Sequence, residues 1–188
     1  MGATAVITAA TAAFMATGSA HAATVTPTAP GLRAAHTVQV IPAVTQLPAA
    51  LSWPLVVQGA RGERVVAIQY LLNQRIGAGL AVDGVFGPLT AGAVRTFQTR
   101  FHLLVDGKVG PQTWTNLIVQ VQRGNSGSAV AAVQHNLRFS YGFSTLAVDG
   151  IFGPLTQTAV RTFQSRFKIG VDGIVGPITW NTLVVNEG

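Results

Sequence analysis

The stretch Asp83-Gly84-Val85-Phe86-Gly87-Pro88-Leu89-Thr90 occurs again as Asp149-Gly150-Ile151-Phe152-Gly153-Pro154-Leu155-Thr156, 66 residues later. The correspondence continues downstream at the same offset, where Ala93-Val-Arg-Thr-Phe-Gln98 returns as Ala159-Val-Arg-Thr-Phe-Gln164 and Trp114 returns as Trp180. Upstream the offset is 65, since Leu72 matches Leu137, which places a one-residue insertion between Leu137 and Asp149. Self-similarity at a fixed period of this size indicates a tandem duplication of one structural unit.

Each copy also contains a shorter echo, because the run from Asp83 to Pro88 resembles the run from Asp106 to Pro111. The Asp-Gly pair suits a tight turn, in which Asp bonds to its own backbone and Gly accepts a positive φ. The following Gly-Pro pair suits a helix start, with Gly at the cap and Pro at the first helical position. We therefore predict that each copy uses the same turn and helix entrance twice.

Apolar residues follow a helical period. Val94, Phe97 and Phe101 fall at i, i+3 and i+7, which predicts a helix over about residues 88–101 and, in the second copy, about 154–167. Similar spacing occurs in the earlier and later segments of each copy, whereas no convincing two-residue period indicates a strand. The predicted fold class is all-α, as two tandem three-helix modules. The other stripes are Val65, Ile68 and Leu72, Val130, Val133 and Leu137, and Trp114 with Leu117.

The N-terminal part differs in composition. Residues 3–15 are uncharged and rich in Ala and Thr, and they lead into the small-x-small pattern Ser19-Ala20-His21-Ala22. We predict a secretory signal peptide at residues 1–22, although it has no basic residue, and an Ala/Thr/Pro linker at residues 23–52. The predicted modules are residues 53–120 and 121–188. The signal segment is too diluted with Thr and Gly to predict a spanning helix, so we expect no membrane span after cleavage.

Composition narrows the possible chemistry. The chain of 188 residues has a net charge of +6 and no Cys, and its four Asp all precede a Gly in the predicted turns. Its basic residues are scattered singly, which argues against nucleic acid as a partner. Thiolate nucleophiles and thiolate metal sites are excluded, and few carboxylates remain for acid and base chemistry. Its His spacing matches no metal motif, so we predict no enzyme activity, no metal site and no cofactor.

The three spaced motifs of each copy, Val-Asp-Gly-x-Phe-Gly-Pro-x-Thr, then Ala-Val-Arg-x-Phe-Gln, then Val-Asp-Gly-x-Val-Gly-Pro-x-Thr-Trp, resemble the type 1 peptidoglycan-binding domain. The resemblance implies a three-helix fold, attachment to the bacterial cell wall and peptidoglycan as the partner, through either its glycan strand or its stem peptide. Other wall polymers are further expected partners. Such modules commonly accompany an enzyme, for which this sequence has no room, so binding is predicted to be its whole activity.

The predicted ligand-binding residues occupy equivalent positions in the two copies. An Arg beside the helix stripe leaves the core face, where its guanidinium can pair with a stem-peptide carboxylate or remain a solvated surface group. The Asp and Gln side chains can bond a ligand or simply hold their own turns. Trp114 and Trp180 can stack on a sugar but suit the core of so small a module. The predicted set is Arg95, Gln98 and Asp83 with Arg161, Gln164 and Asp149.

Taken together, these features predict a secreted, cell-wall-associated, non-catalytic protein that attaches avidly through two modules. An alternative from another class remains open, namely an interaction protein that binds and regulates a cell-wall hydrolase. A cell-wall enzyme is a third reading. Lysis of cell-wall material by the purified protein would favour that third reading.

Overall fold

The computed structural model describes residues 51–186. Within them the chain forms six helices, and its β-structure is limited to isolated β-bridges. The predicted all-α class and the tandem three-helix modules are thus confirmed. The predicted signal peptide and nearly all of the predicted linker lie outside the described residues, and the module boundaries at 53, 120 and 188 stay predictions. The helices are α1 (Glu63–Ile76), α2 (Pro88–Arg100), α3 (Pro111–Leu117), α4 (Ser128–Phe139), α5 (Pro154–Arg166) and α6 (Pro177–Val185).

The helix entrances are formed as the sequence predicts. In α2, α3, α5 and α6 a Gly in extended conformation is the N-cap and a Pro begins the helix. A proline here loses no hydrogen bond, because the first helical N–H groups have no partner within the helix. Isolated β-bridges tie each entrance to the segment that precedes the first helix of its module, as in the pairs Val56 with Val109 and Val121 with Val175.

The predicted core stripes lie in the core, although Phe101 and Phe167, the last residues of their stripes, are only partly buried. Val94 and Phe97 are fully inaccessible, and so are the indoles of Trp114 and Trp180. Each indole also satisfies its polar atom, because Nε1 of Trp114 donates to the carbonyl of Pro54 at 2.8 Å and Nε1 of Trp180 to that of Val119 at 2.7 Å. Both tryptophans therefore belong to the core and tie the last helix of a module to its leading segment.

The predicted insertion lies in the connection between α4 and α5. The two modules differ in the side chain that packs on the phenylalanine pair of the middle helix, which is Phe97 with Phe101 or Phe163 with Phe167. In the second module Tyr141 packs edge-on against Phe163 at 4.8 Å between centroids, and its hydroxyl donates to the carbonyl of Leu183 at 2.7 Å. In the first module the guanidinium of Arg75 lies 4.6 Å from the ring centroid of Phe101. A loop absorbs the extra residue without disturbing the helices.

The two modules pack on each other, and the contact between α1 and α4 is the most extensive between any two helices of the described residues. Nδ1 of His135 lies 2.7 Å from Oε2 of Glu63, and the ring of Tyr70 lies 6.0 Å from that of His135. Ala67 and Ala132, at equivalent positions of α1 and α4, are fully buried. This contact joins both modules into one compact unit. The buried interface adds to the stability of each module, because a domain of about 60 residues buries little surface by itself.

Candidate functional site

One hydrogen-bonded arrangement, which we call the glutamine lock, holds each Asp-Gly turn. At the second turn of the first module, the amide nitrogen of Gln98 donates to Oδ1 of Asp106 at 2.8 Å and to the carbonyl of Lys108 at 2.9 Å. The Gln98 carbonyl oxygen accepts the N–H of Gly107 at 2.9 Å. The lock occurs four times in the described residues, at Gln69 with Asp83, Gln98 with Asp106, Gln134 with Asp149, and Gln164 with Asp172.

The lock uses both ends of each glutamine amide. Gln98 is 1% exposed and Gln164 is completely buried, so their amides are enclosed by the turn. The Asp side chains are exposed, and every hydrogen bond that Asp83 accepts in the described residues goes to Oδ1, as is also true of Asp149. The glutamines therefore position the turns, and the Asp side chains hold them through Oδ1.

Sequence reasoning did not single out Gln69 and Gln134, although they hold the first turn of each module. Gln69 donates to Asp83 at 2.7 Å, and Gln134 donates to Asp149 at 2.8 Å. The available signal was a glutamine that recurs at the 65-residue offset inside an otherwise apolar helix stripe. A buried amide needs partners, and the Asp-Gly turn is the nearest group with matching donors and acceptors.

The predicted arginines lie over the second turn of each module. A Cβ on Gly107, whose φ is +73°, would come within 2.9 Å of Cζ of Arg95, and Arg161 lies equally close to Gly173. The Arg161 guanidinium also donates to the carbonyl of Asp172 at 3.4 Å. The structure thus brings Arg95 together with Gln98 and Arg161 with Gln164. Asp83 and Asp149 lie apart from them, at the first turns.

Hydrogen bonding lowers the pKa of all four turn aspartates below the ordinary value. For Asp83 the main cause is the amide of Gln69, followed by the N–H of Val85. For the others the main cause is the N–H two residues downstream, as with Lys108 beside Asp106. Because these donors favour the charged carboxylate, the locks are complete only when the aspartates are ionised.

Acidification is therefore expected to destabilise the fold. A carboxyl whose folded pKa is lowered contributes stability that is complete above its unfolded value, about 3.9 for Asp, and that is lost as the pH falls through the folded pKa. The melting temperature should thus drop as the pH falls from about 5 to about 3. Asp106→Asn keeps the Oδ1 acceptor but does not titrate, so its drop should be shallower. A melting temperature that is equal at both ends of this range would contradict the expectation.

A groove lies beside the second lock of each module, at the entrance of the last helix. Its volume is about 310 Å³ in the first module and about 280 Å³ in the second, and its surface is mostly apolar. Lining positions correspond one to one between the modules, except that Gln98 lines only the first. The shared positions are Leu55 with Gln120, Leu103 with Ile169, Leu104 with Gly170, Asp106 with Asp172, Lys108 with Ile174, Gly110 with Gly176, Pro111 with Pro177, Gln112 with Ile178, and Thr113 with Thr179.

One side of each groove is formed just after a helix end, where one residue adopts the left-handed backbone conformation. His102 has a φ of 53° and Lys168 a φ of 54°, where non-glycine residues are uncommon. The turn brings Leu103 and Ile169 back towards the groove, since their N–H groups donate to the carbonyls of Gln98 and Gln164. Together with the bonds from the N–H groups of His102 and Lys168 to the carbonyls of Thr99 and Ser165, these contacts form a Schellman motif, which ends α2 and α5 in the same way.

The two grooves differ in charge. The first module presents Lys108 and Gln112 where the second presents Ile174 and Ile178. Both retain the exposed carboxylate of their turn, Asp106 or Asp172. One groove therefore offers an ammonium group and a carboxylate, whereas the other offers a carboxylate beside branched apolar side chains.

Within residues 51–186, no group of three or more metal-ligating side chains comes together. None of the helices in this range combines the length and apolar character that crossing a bilayer requires. His102 and His135 lie in different surroundings, since His135 contacts Glu63 and Phe139 whereas His102 follows the end of α2.

Comparison with protein families identifies the family of both modules. The family described as "Putative peptidoglycan binding domain" matches residues 61–117 and again residues 126–183, one match in each module. The chain belongs to this family. Each matched segment contains both locks of its module and every residue that lines its groove except Leu55 in the first module and Gln120 in the second.

Two curated relatives contain related sequence. An uncharacterized protein in the bpoA1 3′ region of Kitasatospora aureofaciens is 43% identical over 76 residues, which are 40% of this chain and 64% of that protein. The zinc D-Ala-D-Ala carboxypeptidase of Streptomyces albus G is 38% identical over 117 residues, which are 62% of this chain and 43% of the enzyme. The chain therefore spans less than two thirds of the length of either relative.

Two solved structures are also similar. A peptidoglycan-binding protein from Clostridioides difficile, in complex with glutamine hydroxamate, is 38% identical with a TM-score of 0.34, covering 35% of this chain and 40% of that one. The N-terminal domain of SleB is 41% identical with a TM-score of 0.36, covering 38% of this chain and 96% of that one. Each likeness covers little more than a third of this chain.

Proposed function

We propose that the protein binds peptidoglycan without cleaving it, through the two equivalent grooves at the entrances of α3 and α6. The observation that carries the proposal is the recurrence of one groove at matching positions in two domains of a peptidoglycan-binding family. A mostly apolar groove with a few fixed polar groups is the usual form of a ligand site. Two such sites on one compact unit favour attachment to a repeating polymer.

The charges around the grooves support a ligand with carboxylates. Arg95 and Arg161 are exposed beside the second turns, and Lys108 adds a cation to the first groove. Stem peptides of peptidoglycan end in carboxylates, and a guanidinium pairs with a carboxylate through two parallel hydrogen bonds. The predicted ligand-binding set is therefore proposed in modified form. Arg95 and Arg161 contact the ligand beside the grooves, and Gln98 and Gln164 hold the turns, whereas Asp83 and Asp149 lie at the first turns, away from the grooves.

Secretion belongs to the same proposal. The small-x-small pattern before Ala23 supports a cleaved signal peptide, and peptidoglycan lies outside the cytoplasmic membrane. The mature protein is then a cell-wall-associated protein. Determination of its N-terminal residue after export from a bacterial host tests this part, with Ala23 as the expected first residue and an intact N-terminus as the contrary result.

We propose that the protein does not catalyse hydrolysis, because the carboxylates of the described residues already have structural contacts. Each of the four Asp holds its own turn, and Glu63 contacts His135 at 2.7 Å. Glycoside hydrolysis needs two placed carboxylates, one of which holds a proton, whereas the pKa of each turn Asp is lowered. Purified protein should therefore leave no cleared band in a gel containing cell-wall material.

Sedimentation with insoluble peptidoglycan tests the binding itself. The purified protein should pellet with the polymer and release no soluble fragment. Arg95→Ala combined with Arg161→Ala should weaken retention about two- to fivefold per site and flatten its dependence on salt, because exposed pairs contribute little and are screened. The melting temperature should not change, since both side chains are exposed.

The matched control is Arg100→Ala with Arg166→Ala, which removes equal charge from exposed positions in the last turns of the same helices. An equal loss in both double variants would show that only net charge matters. If the protein does not pellet with peptidoglycan at all, the proposal is wrong, and regulation of a cell-wall hydrolase becomes the better explanation.

A further inference from the structure

A third cavity lies at the junction of the modules, at the entrance of α4. It has a volume of about 480 Å³ and a more polar surface than the grooves. Tyr70 of α1 reaches it from the first module, and every other lining residue comes from the second. Those that carry the argument are Ser126, Ser128, Ala131 and Asp149. We call it the junction crevice.

Small side chains keep the junction crevice open. The 65-residue offset places Arg61, Glu63 and Val66 where the second module has Ser126, Ser128 and Ala131, and His135 where the first has Tyr70. At that equivalent place Glu63 contacts His135 at 2.7 Å. The equivalent position in the first module is thus occupied by larger side chains and by the contact between Glu63 and His135, whereas Ser126, Ser128 and Ala131 leave the crevice accessible.

The chemistry of the lining fits a sugar. Tyr70 offers an aromatic ring on which the apolar face of a sugar can lie, and its phenol stays protonated as a donor, since burial and the charge of Glu63 raise its pKa. The hydroxyls of Ser126 and Ser128 both donate and accept. The exposed carboxylate of Asp149 accepts hydrogen bonds from sugar hydroxyls and repels anionic peptide ends. No cation lines the crevice.

We propose that the junction crevice is a carbohydrate subsite, which takes an N-acetylhexosamine unit of the glycan strand between Tyr70 and the Ser128 and Asp149 side chains. This deepens the proposed function, on which it rests, by assigning the glycan to the crevice and the charged stem peptide to the grooves. The crevice exists only when the modules are packed, because Tyr70 comes from one and its partners from the other. Duplication thereby created a site that a single module lacks.

The test measures binding of a peptide-free glycan, the β-1,4-linked tetramer of N-acetylglucosamine, to the intact protein by titration calorimetry. Tyr70→Ala should lower the affinity at least tenfold, because stacking and the hydroxyl are lost together. Tyr70→Phe, which keeps the ring, should cause a smaller loss. Ser128→Glu and Ala131→Val install the residues of the first module and should each lower the affinity at least tenfold by filling the crevice.

Thr115→Glu is the control for added charge, since Thr115 is exposed on α3 and lines none of the cavities described here. Melting curves identify any variant that fails to fold, in which case the remaining crevice variant decides. Tetramer binding that Ser128→Glu and Ala131→Val leave unchanged overturns the subsite. So does the absence of tetramer binding while the protein still pellets with peptidoglycan, a result that leaves the grooves in place. Failure of both assays overturns the proposed function as well.

Discussion

Phe97→Ala is expected to lower the free energy of unfolding by about 3–5 kcal/mol, because it removes a large buried ring and leaves a cavity. Phe97 is fully inaccessible, and its ring lies 4.4 Å from that of Phe101 between centroids. The melting temperature should fall by on the order of 10–20 °C for a unit of this size. Since α1 and α4 join the modules, we expect one broadened or lowered transition for both modules.

Thr96→Ala is the matched control, because Thr96 is the exposed neighbour of Phe97 on the same helix and its hydroxyl bonds only to the carbonyl of Gly92. This substitution should change the free energy of unfolding by less than about 0.5 kcal/mol. Phe163→Ala tests the second module. It should lower the free energy of unfolding at least as much as Phe97→Ala does, since Tyr141 also packs on the Phe163 ring. A melt of Phe97→Ala that coincides with the parent curve would contradict the assigned core.

Loss of either groove is expected to reduce retention on peptidoglycan by about 10²–10⁴-fold, since the second contact of a two-site protein is intramolecular. Gln112→Glu and Ile178→Glu are a matched pair of substitutions at equivalent, exposed groove positions in the first turns of α3 and α6. Each places a carboxylate beside Asp106 or Asp172, and a negative charge is favourable near a helix N-terminus, so folding is preserved. Sedimentation measures the effect.

The intact chain suits this test better than separated modules, because cutting between them exposes the α1 and α4 surfaces. Thr115→Glu adds the same charge to α3 outside the groove and should retain parental binding. The double groove variant should also lose the one-site binding that each single variant retains, because no groove is left. If each single variant loses only about twofold, as expected for two sites that bind separately, the avidity argument is wrong.

The local features of this fold could be read from the sequence because short-range stereochemistry determines them. Gly-Pro pairs set helix starts, Asp-Gly pairs set turns, and Val94 and Phe97 lie on one helix face in any helical conformation. The predicted range of about 88–101 is close to the observed Pro88–Arg100. The twin helix over Pro154–Arg166 followed from the duplication alone.

The candidate site was predictable only in part. The aspartates and arginines were predicted because they recur at equivalent positions, but the sequence did not show that Arg95 lies at the second turn and Asp83 at the first. Gln69 shows the reason: it bonds to Asp83, 14 residues away, across two elements whose approach depends on packing. Spacing along one helix says which residues share a face and does not say which turn that face meets.

The sequence by itself determined the duplication, the helix entrances, the core stripes and the family to which the modules belong. Only the tertiary structure decided that each glutamine amide closes a turn, that a groove forms beside the second lock, and that Tyr70 and Ser128 line one crevice at the module junction. The first group depends on backbone stereochemistry and periodicity within about a dozen residues. The second depends on how apolar faces pack, which brings together groups such as Tyr70 and Ser128 that lie far apart in the chain.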